Sequence, residues 1–247
     1  MVLLRQAKRI AGLTLEQGMP PLAQAVQAAI ELDAPLQHRL GLIADAVQRF
    51  RPQQAEAIGR LVTRLKNNDV GHSTPEVGQM LPGFVLPDEN GKVVRLADLL
   101  RRGPLVVTFQ RGHWCPYCRL TAVSVAAVQD EIEGLGAQLV AIVPEHAKYS
   151  RILKASAKAR FPFLTDAANG YALSLDLVIW IGLEMERIMA EAGIDLPRYQ
   201  GNSAWLLPIP ATFVVGSDGI IVARYVDPDH RRRMEIEEML AAVRQAR

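Results

Sequence analysis

Residues 111–120 read RGHWCPYCRL and hold both cysteines of a 247-residue chain. A structural disulfide between Cys115 and Cys118 gains little, because a cross-link stabilises most when it closes a long loop. Zinc normally takes four ligands, and here only Cys115, Cys118 and His113 are at hand. Redox chemistry is the reading that uses both thiols. A half-zinc site and two inert buried cysteines stay open as alternatives.

The flanking residues place the pair. PLVVTFQ (104–110) is a short continuous apolar run, the pattern of a strand buried in a parallel sheet. Pro116 to Glu133 reads as a helix stopped by Gly134 and Gly136. Cys115 then stands at a helix N-terminus, where unpaired N–H groups and the dipole favour an anion. A thiol so placed can be lowered from ~8.5 to roughly 3.5–7.5. Cys118 follows one turn later, in reach to resolve a mixed disulfide or a sulfenic acid. On these local grounds Cys115 is the nucleophile for disulfide exchange. Cys118, deeper and more desolvated, carries the higher pKa. Pro116 suits the first turn, having no N–H to leave unpaired. Trp114 either shields the site or is a boundary core aromatic. A C-x-x-C between a strand and a helix points to a thioredoxin-like redox site.

Composition sets the outer limits. Hydrophobic residues make up 49 %, charged residues 22 %, and the net charge is +2. That is ordinary globular composition, with no nucleic-acid-binding character. The one basic cluster, Arg231-Arg232-Arg233, reads as a solvated helix start. No apolar run approaches the ~20 residues that span a bilayer. Arg5, Lys8 and Arg9 imitate a signal-peptide start, but Glu16 and Gln17 break the apolar stretch and no cleavage pattern follows. The expectation is a cytoplasmic protein, because a reducing compartment favours catalytic over structural cysteine pairs.

Two regions are expected. Residues 1–72 read as helical, with Leu22, Val26 and Ile30 at fours and Leu36, Leu40, Ile43, Val47 and Phe50 at threes and fours. Pro35 and Pro52 mark helix starts, and Ile58, Leu61, Val62 and Leu65 share the face of a third helix. Three such helices bury little alone. They are expected to pack on the rest of the chain or on a second copy, giving a homodimer or higher oligomer. Residues 73–247 then alternate. FVL, PDENGK and VVRL form a hairpin with Asn90-Gly91 as its turn. QLVAIV (138–143) is a buried strand, EHAKYSRILKASAKAR a helix and FPFLTD a strand. Residues 167–190 read as largely helical. ATFVV, GSDG and IIVARYV form a second hairpin, and residues 231–246 close with a helix. This order predicts an α/β sandwich.

The stretches VGQMLPGFVLPDENGKVVRLADLLRRGPLVVTFQRGHWCPYCRL and LPIPATFVVGSDGIIVARYVDPDHRRR resemble the alkyl hydroperoxide reductase/thiol-specific antioxidant family, in its peroxiredoxin-like branch with WCPYC. The resemblance covers residues 77–247. It implies a thioredoxin-like fold, a central mixed sheet of about five strands flanked by helices. It also implies antioxidant reduction of a hydroperoxide or disulfide, a thiol electron donor of thioredoxin or glutathione type, and no cofactor or metal.

Aligned on VVTF, Cys118 falls on the peroxide-attacking cysteine of the family's Pro-x-x-x-Thr-x-x-Cys motif. Cys115 falls on its threonine and Arg111 on its proline. Pro210 stands where many members carry an arginine, and where thioredoxins place a cis proline. The Ile209–Pro210 bond is therefore expected to be cis and in contact with Cys115. The missing threonine and arginine leave a glutaredoxin-like dithiol reductase, or a redox-sensing binding protein, as alternatives. Arg111 can restore a positive charge beside the thiol, against the simpler reading of a surface arginine. His113 reads as an exposed loop histidine, Trp205 as core, and Asp227, Asp229 and Arg233 as a structural cap and ion pair.

Overall fold

The computed structural model describes residues 20–246; expectations for residues 1–19 fall outside them. Helices α1 (Pro21–Glu31), α2 (Leu36–Phe50) and α3 (Pro52–Asn67) come first. Pro21 and Pro52 open α1 and α3 at positions whose N–H would have no helical partner. The helices bury most of the predicted stripes, with Leu40 and Ile43 at 0 % exposure, while Leu22 and Ile30 are partly covered and Phe50, at the end of its helix, is 41 % exposed. They share one continuous core with Phe109, Cys115, Cys118 and Phe213. Most of their apolar surface is thus covered within the chain. Each fully buried leucine or isoleucine is worth about 1.5–3 kcal/mol.

The central sheet has the order β5-β4-β3-β8-β9. It contains β3 (Leu105–Phe109), β4 (Gln138–Val143), β5 (Phe163–Thr165), β8 (Ala211–Val215) and β9 (Ile221–Val226). Strands β3, β4 and β5 are parallel, while β8 and β9 run antiparallel to their neighbours. The hairpin β1 (Val85–Pro87) and β2 (Val93–Arg95) forms as its turn residues require. Strand β3 is central and buried throughout. It delivers the chain straight into RGHWCPYC and helix α5 (Pro116–Ala127).

Sheet polarity decides what meets the cysteines. The carboxyl ends of β3 and β4 lie at one edge, so Glu145 emerges beside residues 111–115. Ala211 pairs with Val226, so Pro210 and the segment after β9 reach that same edge. Open α/β sheets commonly place their sites there.

Three local expectations are corrected. The helix from Pro116 breaks at Val128 (φ −107°, ψ 9°) before α6 (Gln129–Gly134). Residues 167–190 are not largely helical. A 3-10 turn, the short helix α8 (Gly170–Ser174) and α9 (Leu183–Glu191) bracket strand β6 (Val178–Trp180). This strand pairs with β7 (Leu206–Pro208) in a separate two-stranded sheet. The last helix, α11, runs only Ile236–Gln245, so Arg231–Arg233 lie in the loop after β9. The short helix α4 (Leu96–Leu100), helix α7 (Ala147–Ala157) and helix α10 (Leu196–Gln200) complete the layers.

Candidate active site

Cys115 is the N-cap residue of α5 and Pro116 its first helical residue, as the sequence predicts. Both cysteines are free thiols. Cys115 is 1 % exposed and Cys118 is fully buried. Their roles differ because of what converges on each sulfur. The Arg111 backbone N–H donates to Cys118 Sγ at 3.3 Å. Arg233 Nη2 lies 3.9 Å from the same sulfur.

The pair's electrostatics reverse the sequence expectation. Burial pushes the Cys118 thiol up. A hydrogen bond from Cys115, the Arg233 guanidinium, the Arg111 N–H and the Arg111 guanidinium outweigh it and hold the thiol at about 6. Cys115 goes the other way. Its burial, then its bond to Cys118 and the charge there, raise it well above the ordinary thiol range. The helix-terminus argument for Cys115 is local, whereas the stabilising cation comes from 115 residues further along the chain and settles on Cys118. The groups that favour a thiolate converge on Cys118.

Arg111 is not a surface residue; it is 3 % exposed, with its guanidinium carbon 5.3 Å from the centre of the Trp114 ring. Burial lowers its pKa, and the cysteines pull it back up. Arg233 is 4 % exposed and does not pair with Asp229, which instead binds Arg231 at 2.7 Å. The Arg233 guanidinium donates to the carbonyls of His230 and Arg232, and these bonds aim it inward. It places a buried cation beside Cys118, on the side of the site where Pro210 offers none. The sequence signal for it was the basic run just past a strand that ends at the site's edge.

His230, missed by the sequence reading, is buried at the same place and packs edge-on against Tyr117, with ring centres 5.4 Å apart. Burial and then the guanidiniums of Arg111, Arg233 and Arg231 push its pKa well down, so it stays neutral. Four polar atoms around the thiols, Arg111 Nε, Trp114 Nε1, Tyr117 Oη and Arg233 Nε, are buried without a hydrogen-bond partner. Native proteins rarely leave such groups unpaired, and a cluster of them marks a place for a polar guest.

The loop carrying Arg111 and Cys115 is pinned by Glu145, which is fully buried. Its carboxylate accepts the His113 N–H at 2.9 Å and lies 2.8 Å from His113 Nδ1. The imidazole sits between Tyr149 and Tyr199, at 5.2 and 4.8 Å between ring centres. His113 is therefore a loop anchor, not an exposed histidine. Gly112 has φ +143°, and a Cβ there would stand 2.5 Å from Glu145 Oε1. Only glycine lets the loop lie this close. We expect Glu145→Ala to cost about 2–4 kcal/mol in denaturant unfolding, because it strands buried donors.

A cavity of about 290 Å³ opens onto Cys115, Arg111, Trp114 and His230. Its far walls are Val26 of α1, Val47 of α2, Ile58 of α3 and Met185 and Met189 of α9. The N-terminal helices thus roof the site. Pro210 is buried at the sheet edge but does not line the cavity, and neither does Trp205. No cis peptide bond occurs among the described residues, so Ile209–Pro210 is trans, contrary to expectation. The chain stays extended there because Leu206–Pro208 is paired with β6 and the Ile209 N–H bonds the Leu177 carbonyl. Among the described residues no group of three or more metal-ligating side chains is gathered, and no helix is long and apolar enough to cross a membrane.

A dithiol at the N-terminus of the helix that follows the central strand of a mixed five-stranded sheet defines a thioredoxin-fold thiol oxidoreductase. The AhpC/TSA family model matches residues 77–224, and the chain belongs to that family. It is a thiol-dependent peroxidase of the antioxidant class. Peroxidoxin BcpB of Mycobacterium tuberculosis is similar in fold at a TM-score of 0.54 and 22 % identity, covering 70 % of this chain and 98 % of its own. Reduced Prx3 of Vibrio vulnificus, in complex with H2O2, gives 0.53 and 15 %, covering 68 % and 99 %. PrxQ of Xylella fastidiosa gives 0.52 and 15 %, covering 69 % and 96 %. No curated protein sequence matches the chain. Helices α1–α3, His230 and Arg233 all lie outside the family match.

Proposed function

We propose that Cys118 is the thiolate that attacks the hydroperoxide and Cys115 the thiol that resolves it. The observation that carries this reading is the convergence of the Arg111 N–H and the buried Arg233 guanidinium on Cys118 Sγ. The Cys118 sulfur attacks the distal peroxide oxygen and the O–O bond breaks. The departing alkoxide takes a proton and leaves as alcohol, and Cys118 becomes a sulfenic acid. The Cys115 sulfur then attacks Cys118, its proton leaves with the hydroxyl as water, and the disulfide forms. Arg111 and Arg233 offer positive charge where the oxygens gain negative charge.

The cap position of Cys115 fits the resolving role. Cys115 lines the cavity and Cys118 does not. Cys115 is the cap residue, outside the helical repeat, so its side chain can turn aside without loss of a helical hydrogen bond. The same contact with the cavity favours one second reading, in which Cys115 attacks first and the Cys118 thiolate takes its proton.

The fully described cycle needs a thiol donor to return the pair to the dithiol. We place the protein in the cytoplasm, where a reducing environment keeps both cysteines free.

Thiolate absorbance near 240 nm tests the assignment. The wild-type protein is expected to show a step at about pH 6, retained in Cys115→Ser at a shifted midpoint and absent from Cys118→Ser. Because the folded value lies below the ordinary ~8.5 of an unfolded thiol, the folded state sheds its proton first. Stability therefore rises with pH between about 6 and that value, and falls as pH drops through about 6. A step that survives in Cys118→Ser and vanishes in Cys115→Ser would reverse the roles.

A further inference from the structure

Two buried cations share one anion in the reduced site. Arg111 and Arg233 are 3 % and 4 % exposed. Among the described residues the charges acting favourably on Arg111 are the two cysteines and Tyr117. The Arg233 guanidinium reaches, among the described residues, only carbonyls and Cys118, and Asp229 is held by Arg231. The Cys118 thiolate is thus the counter-ion of both guanidiniums. Formation of the Cys115–Cys118 disulfide removes that charge. A buried cation without a partner is costly, and any anion that can reach it is favoured.

The cavity supplies the route. It reaches Arg111 and Cys115, and Arg51 and Arg119 also line it. Neither of these two arginines has an ion pair among the described residues. Arg111 and Trp114 line the cavity, and their Nε and Nε1 atoms are buried behind its wall without a hydrogen-bond partner. At about 290 Å³ the space is at the lower end of small-molecule sites. Cys115, 1 % exposed beneath the helical roof, is out of reach of another protein's redox loop.

We propose that the disulfide form of this protein binds a small carboxylate-bearing molecule in the cavity above Cys115, and that its reductant is an anionic low-molecular-weight thiol rather than a protein dithiol. The inference rests on the dithiol cycle proposed above. The bound thiolate attacks Cys115 Sγ, the S–S bond breaks, and the electron pair leaves on Cys118. That sulfur is the better leaving group because its thiolate is stabilised. A second small thiol attacks the sulfur of the first. Cys115 leaves, takes up a proton, and a small-molecule disulfide departs. Two electrons pass from two thiols to the protein.

The test starts from wild-type protein oxidised with diamide, its disulfide verified by the loss of two hydrogens in the intact mass. Succinate, a carboxylate without a thiol, is titrated by calorimetry into the oxidised and reduced forms. Re-reduction is then followed with mercaptopropionate, mercaptoethanol, cysteamine and thioredoxin at equal thiolate concentration. Succinate is expected to bind the oxidised form about tenfold more tightly than the reduced form. Mercaptopropionate is expected to react about tenfold faster than mercaptoethanol, with cysteamine and thioredoxin slower still. The joint substitution Arg51→Gln and Arg119→Gln should shrink the mercaptopropionate advantage. Equal succinate binding to both forms, equal rates for the anionic and neutral thiols, or fastest reduction by thioredoxin would each overturn the proposal. If no disulfide forms at all, the dithiol cycle fails with it. If the disulfide forms and the anion makes no difference, only this inference fails.

Discussion

Cys118→Ser is expected to lower peroxide turnover by at least about a thousandfold, the scale on which removal of a nucleophile acts. The serine hydroxyl remains protonated at neutral pH, and the cations that stabilise a thiolate do nothing for it. Cys115→Ser should behave differently. It should still consume about one peroxide per chain in the first turnover, then stall, because Cys118 has no neighbour to condense with. A rapid-quench measurement of peroxide consumed per active chain separates the two variants. Equal first turnovers in both would remove the distinction between the thiols.

The second large effect is expected at Arg233. Replacing it with methionine keeps much of the volume but removes one of the two buried cations beside Cys118. An opposite charge at this range holds an acid down by about 1–3 units. The Cys118 titration should therefore move up from about 6 towards the ordinary thiol value, and peroxide turnover at pH 6 should fall by roughly tenfold or more. Raising the pH should recover part of the loss. Arg233→Lys should retain more activity than the methionine variant, and it guards against a simple folding defect. An unshifted thiol titration in a folded Arg233→Met protein would refute the role.

Much of this site could be read from sequence, and what could not has a common physical cause. PLVVTFQ followed by RGHWCPYC and a helix of good propensity is a local signal, and it placed the thiols at the end of β3. The hairpins at Asn90-Gly91 and Ser217-Asp218-Gly219 are equally local. The N-terminal stripes told which faces are buried but not against what, and they turn out to roof the redox site. Strand β6 was hidden because YALSLDLVIW is short and apolar, a run that periodicity does not resolve into helix or strand. The thiol ranking failed for a different reason. A helix N-terminus predicts an activated Cys115, while the decisive charge comes from Arg233, brought in by the antiparallel return of β9. Charges that meet only in three dimensions leave no spacing in the sequence. The family motif, which aligns Cys118 with the peroxide-attacking cysteine, points to the same sulfur on which these charges converge.

Mapping of the sulfenic acid tests the assignment of the peroxide-attacking thiol most directly. Cys115→Ser and Cys118→Ser proteins are treated with one equivalent of peroxide in the presence of dimedone, digested, and the adduct located by mass spectrometry. The adduct is expected on Cys118 in the Cys115→Ser protein, with little on Cys115 in the Cys118→Ser protein. An adduct that forms on Cys115 in the Cys118→Ser protein, with none on Cys118 in its counterpart, would contradict it.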